Sequence, residues 1–387
     1  MNSNNSFNIE SIVNCCGCGV CSKVCGKQAI TFVYNELGQL VPKVDKKKCI
    51  KCNRCRSVCI SIQEIAQTES VHCGFIATNK NKPQLKRSSS GGISAAMASK
   101  WISEGGYVCG AAVICRKDGI LAVQHILTND INDLPLIQGS KYVQSEIHHV
   151  VDEIKEKLVS GIRILFFGTS CQVAGLKMYL GRDYTNLITC DLICHGVIGQ
   201  GMFNSYINYL EEKKRVIIQK VNFRVKDHKP NYCLSYTGMK DNKPYAETIE
   251  TNQSGYYRLF LSCGGYRKSC YECKFTNSNK PADITLGDYY EALRDYPELF
   301  ENNKYNLEEG VSSVLVHSKR GKDFFLSLND YIEFDEVDVN RIIDSHPNLQ
   351  RPSIPRNSAK IAVFVYKRFG WAGVEQFYRA LDYFMHH

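Results

Sequence analysis

The chain has 387 residues, 44% hydrophobic and 22% charged, with a formal net charge of +9. That length holds two or three domains of ~100–200 residues each, and the composition excludes a disordered or fibrous protein. No apolar run reaches the ~18–20 residues of a membrane span, and no basic, aromatic-interleaved stripe marks a nucleic-acid partner.

The first residues, MNSNNSFNIESIVN, have neither a basic start nor an apolar core, so a signal peptide is set aside and a cytoplasmic location is expected. In such a chain, 19 cysteines point to metal or redox chemistry rather than disulfides.

Cys15, Cys18, Cys21 and Cys25 have the spacing C-x2-C-x2-C-x3-C, and Cys49, Cys52, Cys55 and Cys59 repeat it. This is the two-cluster ferredoxin arrangement, in which the fourth cysteine of each run crosses to the other cluster. Cys15, Cys18, Cys21 and Cys59 would hold one [4Fe–4S] cluster, and Cys49, Cys52, Cys55 and Cys25 the second. Zinc is the alternative for four-cysteine sites, but tandem x2 gaps are foreign to it. Gly26 and Ile60 stand where proline usually follows the fourth cysteine, which loosens a turn without removing a ligand. Cys16 falls outside the spacing and reads as a small buried residue. Between the runs, AITFVYNELGQLVPKVD reads as a hairpin turning at Gly38. Residues 1–70 carry nine Lys and Arg against five Asp and Glu, a net of +4 that suits an acidic redox partner or simply a solvated surface.

Residues 71–85 read as a linker. RSSSGGISAAMASKWISEGG then predicts a loop and a helix over Ile93, Met97 and Trp101. The start of that helix is either a plain N-cap or a seat for an anion such as a flavin pyrophosphate. YVCGAAVIC and ILAVQHIL predict two strands joined by an RKDG turn, and a helix is expected over roughly 147–159. RILFFG, the turn Gly168-Thr169-Ser170-Cys171 and the helix QVAGLKMYL follow α/β grammar. The helix start at Cys171 is expected to favour its thiolate. NLITCDLICHG ends a buried strand at Cys194 and His195, where such folds place their sites. Cys263 and the pair Cys270-x2-Cys273 follow; the pair is half a metal site, a redox dithiol or chance. VSSVLVHS predicts a strand and residues 320–328 a helix. The aromatic spacing of KIAVFVYKRFGWAGVEQFYRALDYF suits a helix packed in the core or on a partner.

Taken together, SSSGG (88–92), GSKYVQS (139–145), GTSCQVAGLK (168–177), DLICHG (191–196), NFR (222–224) and SCYECKF…ADITLGD (269–288) resemble the beta subunit of coenzyme F-420 (deazaflavin) hydrogenases and dehydrogenases, in its bacterial form with a fused ferredoxin domain. The resemblance implies an FAD-binding α/β domain and a third [4Fe–4S] cluster on Cys171, Cys194, Cys270 and Cys273. Ser88, Ser89, Ser90, Gly91, Gly92, Gly168, Thr169, Ser170 and Asp288 are the candidate flavin residues; His195 and Lys141 are candidate proton donors or substrate binders. Ser170 replaces a usual proline, and Tyr290-Glu291 a usual Trp-Gly, which bears on the flavin or substrate pocket.

The expectation is an α+β protein: a two-cluster ferredoxin domain (1–70), a linker (71–85), a larger mixed α/β flavin and iron–sulfur domain (86–340) and a helical C-terminal extension (341–387). It would act as an iron–sulfur flavoprotein oxidoreductase with a redox partner protein or a small-molecule substrate. The alternative is a non-catalytic electron-transfer subunit.

Overall fold

A computed structural model describes residues 7–65, 73–116, 119–228 and 232–386. The boundary expected at residue 70, the first two linker residues, and Lys117-Asp118 of the RKDG turn lie outside them.

In the N-terminal part, α1 (Val20–Lys23) follows the first cysteine loop, β1 (Ile30–Tyr34) and β2 (Leu40–Val44) form the hairpin, and α2 (Arg54–Ser57) follows the second loop. The hairpin is antiparallel, with Ile30 opposite Val44 and Tyr34 opposite Leu40, as its sequence predicted.

The larger part continues with β3 (Cys73–Asn79), α3 (Lys82–Arg87), α4 (Ile93–Ser103), β4 (Tyr107–Cys115), β5 (Leu121–Thr128), α5 (Leu134–Ile137), α6 (Val151–Val159), β6 (Ile164–Thr169), α7 (Ser170–Leu180), β7 (Leu187–Leu192) and α8 (Gln200–Lys214). Next come β8 (Ile217–Arg224), β9 (Tyr232–Lys240), β10 (Lys243–Glu250), α9 (Gly255–Leu261), α10 (Lys268–Tyr271), β11 (Ile284–Asp288) and α11 (Ala292–Asp295). β12 (Ser312–Val316), α12 (Lys319–Leu326), β13 (Ile332–Val337), α13 (Val339–Ser345) and α14 (Asn357–His386) complete it.

One eight-stranded sheet runs β13-β3-β12-β11-β7-β6-β4-β5. Its centre, β4, β6, β7 and β11, is parallel, and the outer strands are antiparallel. Apolar residues of α4 and α12 cover one face and those of α6 and α7 the other. That double cover explains the unbroken apolar strand ILFFGT, since a strand buried on both faces needs no alternation. β8, β9 and β10 form a separate antiparallel sheet, packed in a shared core with α8, α9 and α14. α14 contains the expected aromatic helix and kinks at Gly370, whose φ is 61°. Trp371 and Tyr378 are buried there, so this segment is core. Among the described residues, no helix is long and apolar enough to cross a membrane.

Two sequence expectations are corrected. Residues 73–79, expected in a linker, form β3, which is buried along its whole length between β12 and β13. Burial on both faces removes the alternation by which a strand is read. The helix expected from 147 begins at Val151, because residues 148–150 form a turn.

The cysteine-rich part is docked on the larger part. The hairpin turn meets the start of α8, where Gly201 N–H donates to Gly38 C=O at 2.9 Å. A Cβ on Gly38, which has φ 62°, would lie 2.2 Å from the backbone nitrogen of Met202. Buried Arg267 donates to the side chain of Gln144 and, at 2.7 Å, to Leu40 C=O. Lys23 pairs with Asp152 at 2.7 Å and Asn14 donates to Glu272 at 2.6 Å.

Candidate functional site

The parallel strands β6, β7 and β11 aim their C-terminal ends at one cavity of about 690 Å³. Cys171, Cys194 and the Cys270–Cys273 pair, from three separate segments of the chain, all line it. Burial raises the Cys194 thiol first, and next the nearness of Cys270, Cys171 and Cys273. Burial also pushes Cys270 up to about 12, with Cys171 and Cys273 among its neighbours. All four thiols are free of disulfides.

The two N-terminal runs are interleaved in the crossed manner. Cys21 feels Cys15, Cys59 and Cys55, and its thiol is pushed up to about 12, mainly by burial. Cys55 feels Cys52 and Cys25. Main-chain N–H groups point at the sulfurs: Gly17 donates to Cys15 Sγ at 3.4 Å and Ala29 to Cys25 Sγ at 3.3 Å. Zinc fits this donor set poorly. Four sulfurs at ~2.3 Å from one zinc lie ~3.8 Å apart. Among the described residues, the one three-donor group whose ligand atoms fall within 4.8 Å of one another is Glu146, His148 and His149, with no cysteine in it.

The first run lies directly on the cavity wall. α1 packs on α7, and Gly175 of α7 leaves room for Cys18, whose Sγ would be 3.2 Å from a Cβ there. Gly175 is one turn, ~6 Å along the helix, from Cys171. Cys16, expected as a small buried residue, is packed in a cluster with Cys171, Cys273 and Ile60. Its hydrogen bond to Cys171, followed by burial, raises the Cys171 thiol. The expectation of a thiolate-favouring helix start is therefore corrected for the free thiol, because neighbouring sulfur and desolvation outweigh the helix end.

The candidate flavin residues also line the cavity, with the exception of Gly91. Ser88 donates to Gln84 C=O at 2.8 Å and Ser90 to Val311 C=O at 2.9 Å, so both hydroxyl protons are committed to the protein. Ser89 accepts from Ser140 N–H at 2.8 Å, which leaves its own proton to be given to a ligand. A Cβ on Gly91 would lie 2.5 Å from Ala77 C=O, so this glycine serves the close approach of loop and sheet. Gly92 is the N-cap of α4 with φ 72° and supplies no side-chain cap. Ile93, Ser94 and Ala95 of that first turn line the cavity, so an open helix start faces it. Gly168 is closed in by Phe166, 2.8 Å from a Cβ there. Thr169 Oγ1 touches Cys171 Sγ at 3.1 Å, and Ser170 lies against the buried Asp191 carboxylate.

Lys141 Nζ is buried and donates to Gln138 C=O at 2.8 Å, and desolvation lowers its pKa to about 7. His195 Nδ1 lies 2.9 Å from Tyr266 Oη. Tyr266 gives its one hydroxyl proton to Phe260 C=O at 2.6 Å, so His195 Nδ1 must be the donor. Nε2 of the neutral ring then carries a lone pair, and burial lowers the pKa further. With its ring neutral, His195 thus presents an acceptor at Nε2.

Several cavity residues escaped the sequence reading. Arg224 pairs with Asp288 at 2.6 Å and donates to Tyr290 Oη at 3.1 Å, and Tyr290 donates to Asp288 at 2.7 Å. Tyr232 Oη lies 2.7 Å from Tyr290 Oη, and the Arg224 guanidinium is 4.5 Å from the Tyr232 ring centre. Arg224 Nε is buried with no partner. His125 donates from Nε2 to Phe167 C=O at 2.8 Å, and its Nδ1 is also buried without a partner. Arg224 stands in the NFR segment, so the motif carried the signal although its role did not.

These unpartnered buried groups, the open helix start and the thiol quartet fit a wall built for a polar ligand beside a metal cluster. Residues 161–340 match the model of a family described as the C-terminal region of the coenzyme F420 hydrogenase/dehydrogenase beta subunit. No curated protein matches the chain. Among solved structures, a chain of "the F420-reducing [NiFe] hydrogenase complex from Methanosarcina barkeri" is similar, at 14% identity and a TM-score of 0.45, over 83% of this chain and 94% of that one. The family likeness is thus carried by residues 161–340, a little under half of the chain, which are similar to the C-terminal region of the coenzyme F420 hydrogenase/dehydrogenase beta subunit.

Proposed function

We propose that the chain is an iron–sulfur flavoprotein oxidoreductase. It holds two ferredoxin-type [4Fe–4S] clusters, a third on Cys171, Cys194, Cys270 and Cys273, and FAD in the adjoining cavity, and it reduces or oxidises a small substrate. The division at about residue 70, with a larger flavin and cluster domain and a helical C-terminal extension, belongs to this reading. The observation that carries it is α7: Cys171 stands in its first turn, and Gly175, one turn on, seats Cys18 of the first run. The two ligand sets therefore share one helix as support.

A flavin exchanges single electrons with clusters and a hydride equivalent with a substrate. The chain's own residues bind and orient. The α4 start, Ser89 and Lys141 would hold an anion, and Arg224 Nε and His125 Nδ1 offer one donor and one acceptor to a ring system. His195 Nε2 would accept a proton.

The test is an anaerobic preparation of the full chain with iron, sulfide and flavin counted. About twelve irons and one FAD per chain are expected, three cubes of four. Every iron without flavin would make the chain an electron-transfer subunit; only eight irons would remove the third cluster. Lys141 adds a pH signature. An anion raises the pKa of the lysine that binds it, so FAD affinity should be level below pH 7. It should then fall up to about tenfold per pH unit as Lys141 loses its proton. Lys141→Met should flatten that profile in a titration of the flavin-free protein.

A further inference from the structure

The second cysteine loop is turned outward, and its surroundings are cationic. Lys46, Lys47, Lys48, Lys51, Arg54 and Arg56 are all exposed, against one acid, Asp45, in the same stretch. Among the described residues, only Lys48 of these six has an acidic partner, Asp45 at 4.0 Å. Ile50, between the first two ligands of the run, is 62% exposed, and Cys52 is exposed as well. Lys51 has φ 56°, a left-handed conformation that is strained for a residue with a side chain. A cation is thus held beside the cluster loop at a conformational cost that glycine would avoid.

We propose that this face is the docking site of a small acidic one-electron carrier protein, with Ile50 at its centre and the six cations as its rim. The inference rests on the cluster assignment of the proposed function and names its redox partner. A small apolar centre in a charged rim suits a brief encounter steered by charge. In each encounter the reduced carrier loses one electron and the second cluster gains it; no bond forms or breaks. The first run cannot serve, because Gly17 lies against Arg267 and Gly19 against His148 of the larger part.

The experiment uses the full-length holoprotein after its iron and sulfide have been counted. Rates of cluster reduction are followed by anaerobic stopped flow, with a chemically reduced, acidic plant-type [2Fe–2S] ferredoxin as probe. The second-order rate should fall at least about tenfold between roughly 20 and 300 mM salt. Lys47→Glu with Arg54→Glu should lower it about tenfold at low salt, whereas Lys243→Glu on β10 should change it less than about twofold. Reduced methyl viologen, a small cation, should bleach all variants to the same extent. A carrier rate indifferent to salt and to the double reversal overturns the docking proposal. So does a reversal that abolishes duplex-DNA binding and leaves the carrier rate unchanged. If Cys52→Ala leaves the iron count of the holoprotein unchanged, the assignment of the second cluster is itself overturned, a result the iron count reveals before any rate is measured.

Discussion

The two cysteine loops share a backbone and differ in what surrounds it. Gly17 and Gly19 have φ of 70° and 81°; Lys51 and Asn53, at the same places in the second run, have 56° and 62°. Both loops therefore bend through two left-handed residues to turn their thiols inward. The residue types diverge because of the neighbours. A Cβ on Gly17 would lie 2.3 Å from Arg267 Nη2, and one on Gly19 2.6 Å from His148 Cβ. The inner loop has no room for side chains, whereas the outer loop carries exposed ones at the cost of backbone strain. The difference between a glycine pair and a Lys/Asn pair is thus a record of which loop faces the protein and which faces solvent.

The largest effect that can break this comparison is loss of a ligand. Cys18→Ala and Cys52→Ala should each remove about four irons from a total of about twelve, and so should Cys273→Ala in the third site. Equal iron losses with unequal effects on electron flow are expected. Cys52→Ala should block reduction by a carrier protein, and Cys18→Ala should leave the outer cluster reducible while the flavin stays oxidised. Rapid-mixing spectra distinguish the two. A flavin reduced at the normal rate in Cys18→Ala would show that the inner loop is not on the path.

Much of this arrangement was legible in the sequence, and the exceptions share a cause. The hairpin, β6 with α7, and β7 declared themselves through local turns and apolar runs. The expectation of crossed ligation came from spacing alone. β3 did not, because a strand buried on both faces loses its period. Arg267 and Arg224 were missed because their work is long-range: Arg267 reaches Leu40 across more than two hundred residues of chain, and Arg224 meets Asp288 from another sheet. The orientation of His195 depends on which carbonyl takes the Tyr266 proton, which no spacing encodes.

A middle-sized effect tests the inner loop alone. Gly17→Ala must accept the left-handed backbone and displace a buried guanidinium that is hydrogen-bonded to Gln144 and Leu40. Strain and overpacking together should cost about 2–4 kcal/mol, read as a lowered unfolding midpoint of the holoprotein. If Gly17→Ala unfolds like the parent protein, the docking of the inner loop on Arg267 is wrong.

The smallest effect is the most selective, because stability and function should move in opposite directions. Lys51→Gly relieves the left-handed strain at a position with no packing to lose. Glycine also gains unfolded-state entropy, which offsets part of that relief, so the net stabilisation should be about 0.5–1 kcal/mol. Asn53→Gly should yield less, since asparagine tolerates this conformation better than lysine does. The iron count should not change in either variant. Lys51→Gly also removes one cation from the rim, so its reduction by an acidic carrier should slow a few-fold at low salt and match the parent at high salt. A lysine retained only by drift would give the gain in stability and leave the rate alone. A lysine retained for docking gives both changes, because the same side chain that strains the loop attracts the partner.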